Sequence, residues 1–141
     1  MNKSDLISRL NFDIQNEYAH MHFYMHSAAM VEGLHRQELR EFFMEQAASE
    51  MKHIQAFADM IVGLGGKPNC LPSSFPDHMS SPNDILEYAL RMETEVVNNY
   101  AERMDQAASL GGADGKWVEA FLENQIIDSR TDADNIRMMR K

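Results

Sequence analysis

In the stretch SEMKHIQAF, residues 49–57, a carboxylate at Glu50 and an imidazole at His53 stand three positions apart. On a helix this spacing puts both side chains on one face within a single turn, where together they can hold a metal ion. Taken alone the motif is weak, because two polar residues on a solvated helix face read the same way. The question is whether that face is buried.

The chain has 141 residues, enough for one domain with a single core, and residues 1–141 are read as one unit. A net charge of −9 disfavours non-specific nucleic-acid binding and suits cations as partners. One cysteine, Cys70, rules out an internal disulfide framework. The opening MNKSDLISRL has no apolar stretch of signal-peptide length, and no run approaches the ~20 apolar residues of a membrane span. The expectation is therefore a cytoplasmic protein with no membrane partner. No phosphate-binding loop, dinucleotide fingerprint or Gly-x-Ser-x-Gly elbow occurs.

Glycine and proline divide the chain into four long segments, 4–32, 35–64, 82–110 and 115–140, with Gly33, Gly65-Gly66 and Gly111-Gly112 as stops. Ser4, Ser81 before Pro82, and Asp114 supply the starts. No segment alternates apolar and polar residues, so the predicted fold class is all-α. Stripes at spacings of three and four mark the buried faces. They run Leu6, Leu10, Ile14, Glu17, Met21, Tyr24 in the first helix; Leu39, Phe43, Gln46, Glu50, Ile54, Phe57 in the second; Leu86, Leu90, Glu93, Val97, Tyr100 in the third; and Val118, Leu122, Gln125, Ser129, Asp132, Ile136 in the fourth. Trp117 and Phe121 are expected in the core.

Each stripe is interrupted near its middle by a polar residue. A carboxylate in such a position loses hydration on folding and must be paired, protonated or bound to a metal. The tight turn at Gly33-Leu34 makes the first two helices antiparallel neighbours, and Gly111 to Asp114 does the same for the last two. Counting from those turns brings Glu17 level with Glu50, and Glu93 level with Asp132. The middle connection, GKPNCLPSSFPDHMSS, has 16 residues. At roughly 3.3 Å each they can span the roughly 40 Å length of a helix, favouring a crossover along the bundle.

A four-helix bundle can build a two-metal iron or manganese site from one Glu on each of two helices and Glu-x-x-His on the other two. Here Glu17 and Glu93 are the single acids, and Glu50 with His53 forms the pair. The competing reading is a buried polar network that only fixes helix register.

These residues resemble the ferritin-like family, closest to bacterial ferritins and bacterioferritins. The resemblance rests on NEYAHMHFYMHSA with Glu17 and Tyr24, SEMKHIQAF with Glu50 and His53, and RMETEV with Glu93, and it extends over residues 4–140. It implies a ferroxidase: Fe(II) bound at a di-iron centre, oxidised by dioxygen or peroxide, and passed to a mineral core inside a homo-oligomeric cage. It also implies that Glu17 is a terminal ligand, Glu50 a bridge, His53 the completion of the first site and Glu93 a ligand of the second. Tyr24 would be a hydrogen-bonding or redox partner. The fourth helix departs from the family, reading Ser-Arg-Thr-Asp at 129–132 where a second Glu-x-x-His is usual. Asp132 is then the remaining fourth-helix ligand, with His20, three after Glu17, and Asp128 as candidate replacements. Met51 directly follows the second-helix glutamate, where bacterioferritins carry a haem-ligating methionine; the alternative is a methionine packed at a subunit interface. Two other functions stay open, a di-iron peroxidase or oxygenase that stores no iron and a weakened structural bundle.

Overall fold

Asn2, rather than Ser4, starts the first helix, its side-chain oxygen accepting the Asp5 backbone N–H at 2.8 Å. The computed structural model describes residues 1–140 and contains α1 (Lys3–Met30), α2 (Arg36–Gly63), α3 (Pro82–Leu110) and α4 (Gly112–Met139), with no strand among the described residues. The all-α expectation is met, and each boundary lies within three residues of the sequence reading.

The largest shift is at α4, which begins at Gly112 instead of near Asp114. Gly111 and Gly112 both take positive φ, 75° and 67°, a conformation that costs other residues a steric clash. Gly111 therefore ends α3 and caps α4 at once. Gly115 lets the two helices close, since a Cβ there would sit 2.5 Å from the Ala107 carbonyl oxygen. At the other tight turn α1 ends at Met30 and is capped by Val31, before Gly33. Its final carbonyls are satisfied by arginines of α2: Arg36 donates to Ala29 and Val31, and Arg40 donates to Ala28 at 3.0 Å.

Helix directions follow from the pairs that touch. Asp13 meets Arg103, Glu17 meets Tyr100 and Tyr24 meets Glu93, so α1 and α3 are antiparallel. Phe57 meets Phe121 and His53 meets Asp128, so α2 and α4 are antiparallel too. With α1 antiparallel to α2 across the tight turn, α2 and α3 must run parallel. The connection between them therefore crosses the length of the bundle. It does so along α1: Asn69 N–H donates to Asn11, Ser73 N–H to the Gln15 carbonyl, and Glu32 N–H to the Ser80 carbonyl.

The core forms two apolar clusters, one on either side of mid-bundle. One gathers Leu10, Ile14, Phe57, Ile61, Tyr100 and Leu122; the other gathers Phe23, Tyr24, Phe43, Ile85, Met92 and Ile136. In α3 the buried position is Val96, with its neighbour Val97 only half-buried, a rotation of one residue from the predicted stripe. Phe121 packs edge-on against Phe57 at 4.8 Å, as expected. Trp117 is 46% exposed and so is not a core residue. Its ring lies against Gly63, where a Cβ would meet it at 2.6 Å.

Below mid-bundle Asp13, 1% exposed, accepts two hydrogen bonds from Arg103, from Nε at 2.7 Å and Nη2 at 3.0 Å. Burial raises the Asp13 pKa, and the guanidinium works against that shift. Removing one partner of such a pair strands a buried charge, at a cost of about 3–5 kcal/mol, while replacing both by apolar residues is far less damaging. Arg103→Met is thus expected to lower stability by about that amount in urea denaturation. Asp13→Leu combined with Arg103→Met should recover most of the loss.

Candidate metal centre

Four acids enter the gap between the two apolar clusters. Glu17 comes from α1, Glu50 from α2 and Glu93 from α3, each no more than 2% exposed, and Asp132 comes half-buried from α4. His53 joins them from α2 at 7% exposure. Glu17, Glu50 and His53 each offer a ligand atom, and the three atoms lie within 4.8 Å of one another. His53 Nδ1 is 3.6 Å from Glu50 Oε2 and 4.0 Å from Glu17 Oε2.

Two tyrosines hold the outer oxygens. Tyr100 donates its hydroxyl to Glu17 Oε1, and Tyr24 donates to Glu93 Oε1 at 2.9 Å. Both hydroxyls are buried, so these bonds satisfy donor and acceptor together. The inner oxygens, Oε2 of Glu17 and Oε2 of Glu50, are buried with no hydrogen-bond partner among the described residues. Unpaired carboxylate oxygens in a dry interior are strongly disfavoured unless a proton or a cation offsets them.

The proton affinities show the same constraint. Burial, followed by the nearby Glu50 charge, raises Glu17 well above the ordinary carboxylate range. Burial pushes Glu50 up to about 8, with the Glu93, Asp132 and Asp128 charges adding to the shift. Glu93 is also pushed up to about 8, by burial and then by Asp132, while the Tyr24 hydroxyl and Ser129 oppose the rise. Asp132 rises to about 6, mainly by burial, with His53 opposing. Acids this close, with this much affinity for positive charge, form a donor set suited to hard divalent or trivalent ions, with one imidazole. Glu17, Glu50 and His53 fit one such ion, and Glu93 with Asp132 extends the acidic lining toward α4.

The other predicted residues fall around this group. Ser129 is buried beside Glu93 and acts on it as a hydrogen-bonding neighbour. Asp128 lies across His53 from the carboxylates, its Oδ2 3.5 Å from Nε2. His20 does not join the centre. It lines a separate cavity of about 210 Å³ with Asn16, Ser73, Tyr88 and Glu95, between α1, α3 and the crossover. Burial lowers its pKa to about 4, which keeps the ring neutral, and its Nδ1 has no hydrogen-bond partner among the described residues. Met51 is 60% exposed on the outside of α2.

Sequence reasoning missed the roles of Tyr100, read only as an apolar stripe member, and of Asp13 with Arg103. The spacings 10, 13, 17 in α1 and 100, 103, 107 in α3 carried the signal for the buried pair, since both charged residues sit on core-facing steps.

Solved structures share this architecture. A ferritin-like diiron-carboxylate protein from Bacillus anthracis superposes with a TM-score of 0.90 at 31% identity, covering 99% of this chain and 97% of the other. The Desulfovibrio desulfuricans bacterioferritin gives 0.89 at 20% identity, covering 98% and 79%. A dodecameric thioferritin from Bacteroides fragilis gives 0.82 at 20% identity, covering 97% and 84%. A comparison with curated proteins found no match. The family model of the ferritin-like domain matches residues 7–129, and with four acids at the middle of a crossover-linked four-helix bundle this chain belongs to the ferritin-like domain family.

Proposed function

We propose that this chain binds and oxidises Fe(II), acting as an iron store or detoxifying oxidase. The observation that carries the reading is the pair of buried, unpartnered inner oxygens of Glu17 and Glu50 converging with His53 Nδ1. In this reading Fe(II) is the substrate and gives up one electron per ion to dioxygen or a peroxide. Glu17, Glu50 and His53 bind one ion, and Glu93 with Asp132 binds a second. Tyr24 and Tyr100 fix the rotamers of Glu93 and Glu17, so that the inner oxygens stay aimed at the metal positions. The apolar clusters on either side exclude water from the site.

The dodecameric thioferritin among the structural matches supports a homo-oligomer, within which oxidised iron could collect. A net charge of −9 suits the attraction of cations to such an assembly. No described helix is long and apolar enough to cross a membrane.

The fourth helix favours a second reading, a di-iron oxidoreductase that stores no iron. Ser129 brings a hydroxyl where a longer ligand would stand, and Asp132 is only half-buried, leaving the second position less enclosed than the first. Growth of ferric oxide particles separates the two readings.

Anaerobic Fe(II) titration followed by air is expected to show saturable binding of up to two ions per subunit and oxidation faster than in buffer. Glu50→Gln should remove most of the binding at the Glu17, Glu50 and His53 position and reduce the oxidation rate at least about 10-fold, as loss of a ligand does. Binding unchanged in Glu50→Gln would sink the reading.

Stability should also depend on pH in the metal-free protein. Glu50 and Glu93 bind protons up to about 8 in the folded chain against 4.5 ordinarily, so between those values the folded state holds protons that the unfolded state has released. Their stabilising effect is complete below about pH 4.5 and is lost as pH rises to about 8, on the order of 1.4 kcal/mol per pH unit for each retained proton. Urea midpoints of chelator-treated protein should fall from pH 5 to 8, and saturating metal should abolish the fall.

A further inference from the structure

We propose that α1 carries a second metal site, separate from the mid-bundle centre, in which His22, Met25 and His26 together bind one copper ion as Cu(I). The inference does not depend on the iron-binding reading above.

Spacing and a shared cavity carry the argument. His22 and His26 stand four residues apart in α1, the interval at which two imidazoles on one helix face can hold the same ion. Met25 is three residues after His22 and falls on the same face. With Ala29 and Phe75 these three side chains line one open cavity of about 340 Å³. Two ring nitrogens and a thioether sulfur thus border a single space.

The crossover between α2 and α3 holds both rings in place. His22 stacks on Phe75, with ring centroids 5.8 Å apart and planes inclined by 28°. His26 Nε2 lies 2.6 Å from the Asp77 carbonyl oxygen. A carbonyl only accepts, so Nε2 carries the proton and Nδ1 keeps its lone pair for a metal. That carbonyl is the kind of partner that fixes the tautomer of a ligating histidine. Met25 is 52% exposed, so the core does not claim its side chain, and the flexible thioether is free to turn toward the ion.

The donor set selects the metal. Thioether sulfur and imidazole are soft to borderline donors that suit Cu(I), whereas the mid-bundle carboxylates suit harder ions. Among the described residues, the lining of the cavity includes no carboxylate. Zn(II) is served by the two imidazoles but gains less than Cu(I) from a neutral thioether. Met25 is therefore the residue that should separate the two ions.

Anaerobic titration of the full chain against a chromophoric Cu(I) chelator tests the site. Every protein would carry Cys70→Ser, because the exposed Cys70 thiol can itself take Cu(I). This background protein should bind one Cu(I) per subunit. His26→Ala should weaken that binding at least about 10-fold, since losing a ligand costs no less than losing a group that orients one. Met25→Leu should weaken Cu(I) by a similar factor and leave Zn(II) nearly unchanged, while the equally exposed Met44→Leu should change neither. X-ray absorption at the copper edge should show sulfur bound to copper in the background protein and none in Met25→Leu.

His26 also anchors the crossover, so circular dichroism would follow the folding of His26→Ala, and Met25→Leu decides the question if that variant unfolds. Cu(I) affinity unchanged in Met25→Leu, or copper without bound sulfur in the background protein, would overturn the assignment. So would Cu(I) binding that survives in Met25→Leu and His26→Ala but is lost in Glu50→Gln, which would place the ion in the mid-bundle centre. Co(II) binding at that centre should be the same in the background protein and Met25→Leu, so a failure of the iron-binding reading leaves this test intact.

Discussion

Burying carboxylates between two apolar clusters is the constraint around which the rest of this bundle is arranged. Glu17, Glu50 and Glu93 lose nearly all contact with water, and among the described residues no lysine or arginine pairs with them as Arg103 pairs with Asp13 lower in the bundle. Both cases start from the same problem, a charge in a dry interior, and resolve it differently. At Asp13 a guanidinium from α3 completes the pairing, and the result is a fixed link between helices. At mid-bundle two carboxylate oxygens are left open, so the residual demand for positive charge is available to a proton or a metal ion.

The topology makes this demand local. Because the crossover runs along α1, α3 lies antiparallel to α1, and that register sets Tyr24 against Glu93 and Tyr100 against Glu17. Each tyrosine comes from the helix facing its acid, so the outer oxygens are tied across the α1–α3 interface, while Glu17 Oε2 and Glu50 Oε2 lie near His53 Nδ1 of α2. The glycines that shorten the other turns serve the same end. Gly111 and Gly112 reverse the chain within two residues, which holds Glu93 and the 129–132 segment at one level.

Much of this could be read from the sequence because helical periodicity is a strong constraint. Glycine stops, antiparallel pairing across short turns, and acids at stripe positions led to four helices and to Glu17, Glu50, His53 and Glu93 at one level. The shoulders of the stripes were less legible. His20 and His53 each follow an acid by three residues, yet His53 faces the centre while His20 faces the cavity under the crossover. Which way a shoulder residue faces depends on the neighbour its helix finds on that side, and spacing within one helix holds no information about that neighbour. Asp128 is a similar case: only the α2–α4 contact reveals that it approaches His53 from behind. Trp117 misled for a different reason, since an aromatic ring at a helix start can cover a glycine and still remain half in solvent.

The central claim is that the mid-bundle acids are held protonated until a metal takes the place of their protons. Calorimetric titration of the chelator-treated protein with Co(II), repeated at pH 7 in buffers of different ionisation enthalpy, counts those protons directly. With Glu17 raised well above the ordinary carboxylate range and Glu50 and Glu93 pushed up to about 8, binding should release about one proton or more per subunit at pH 7, and fewer as the pH approaches 9. Binding with no proton release at pH 7 would mean that the acids are already ionised without a metal, and would contradict the account.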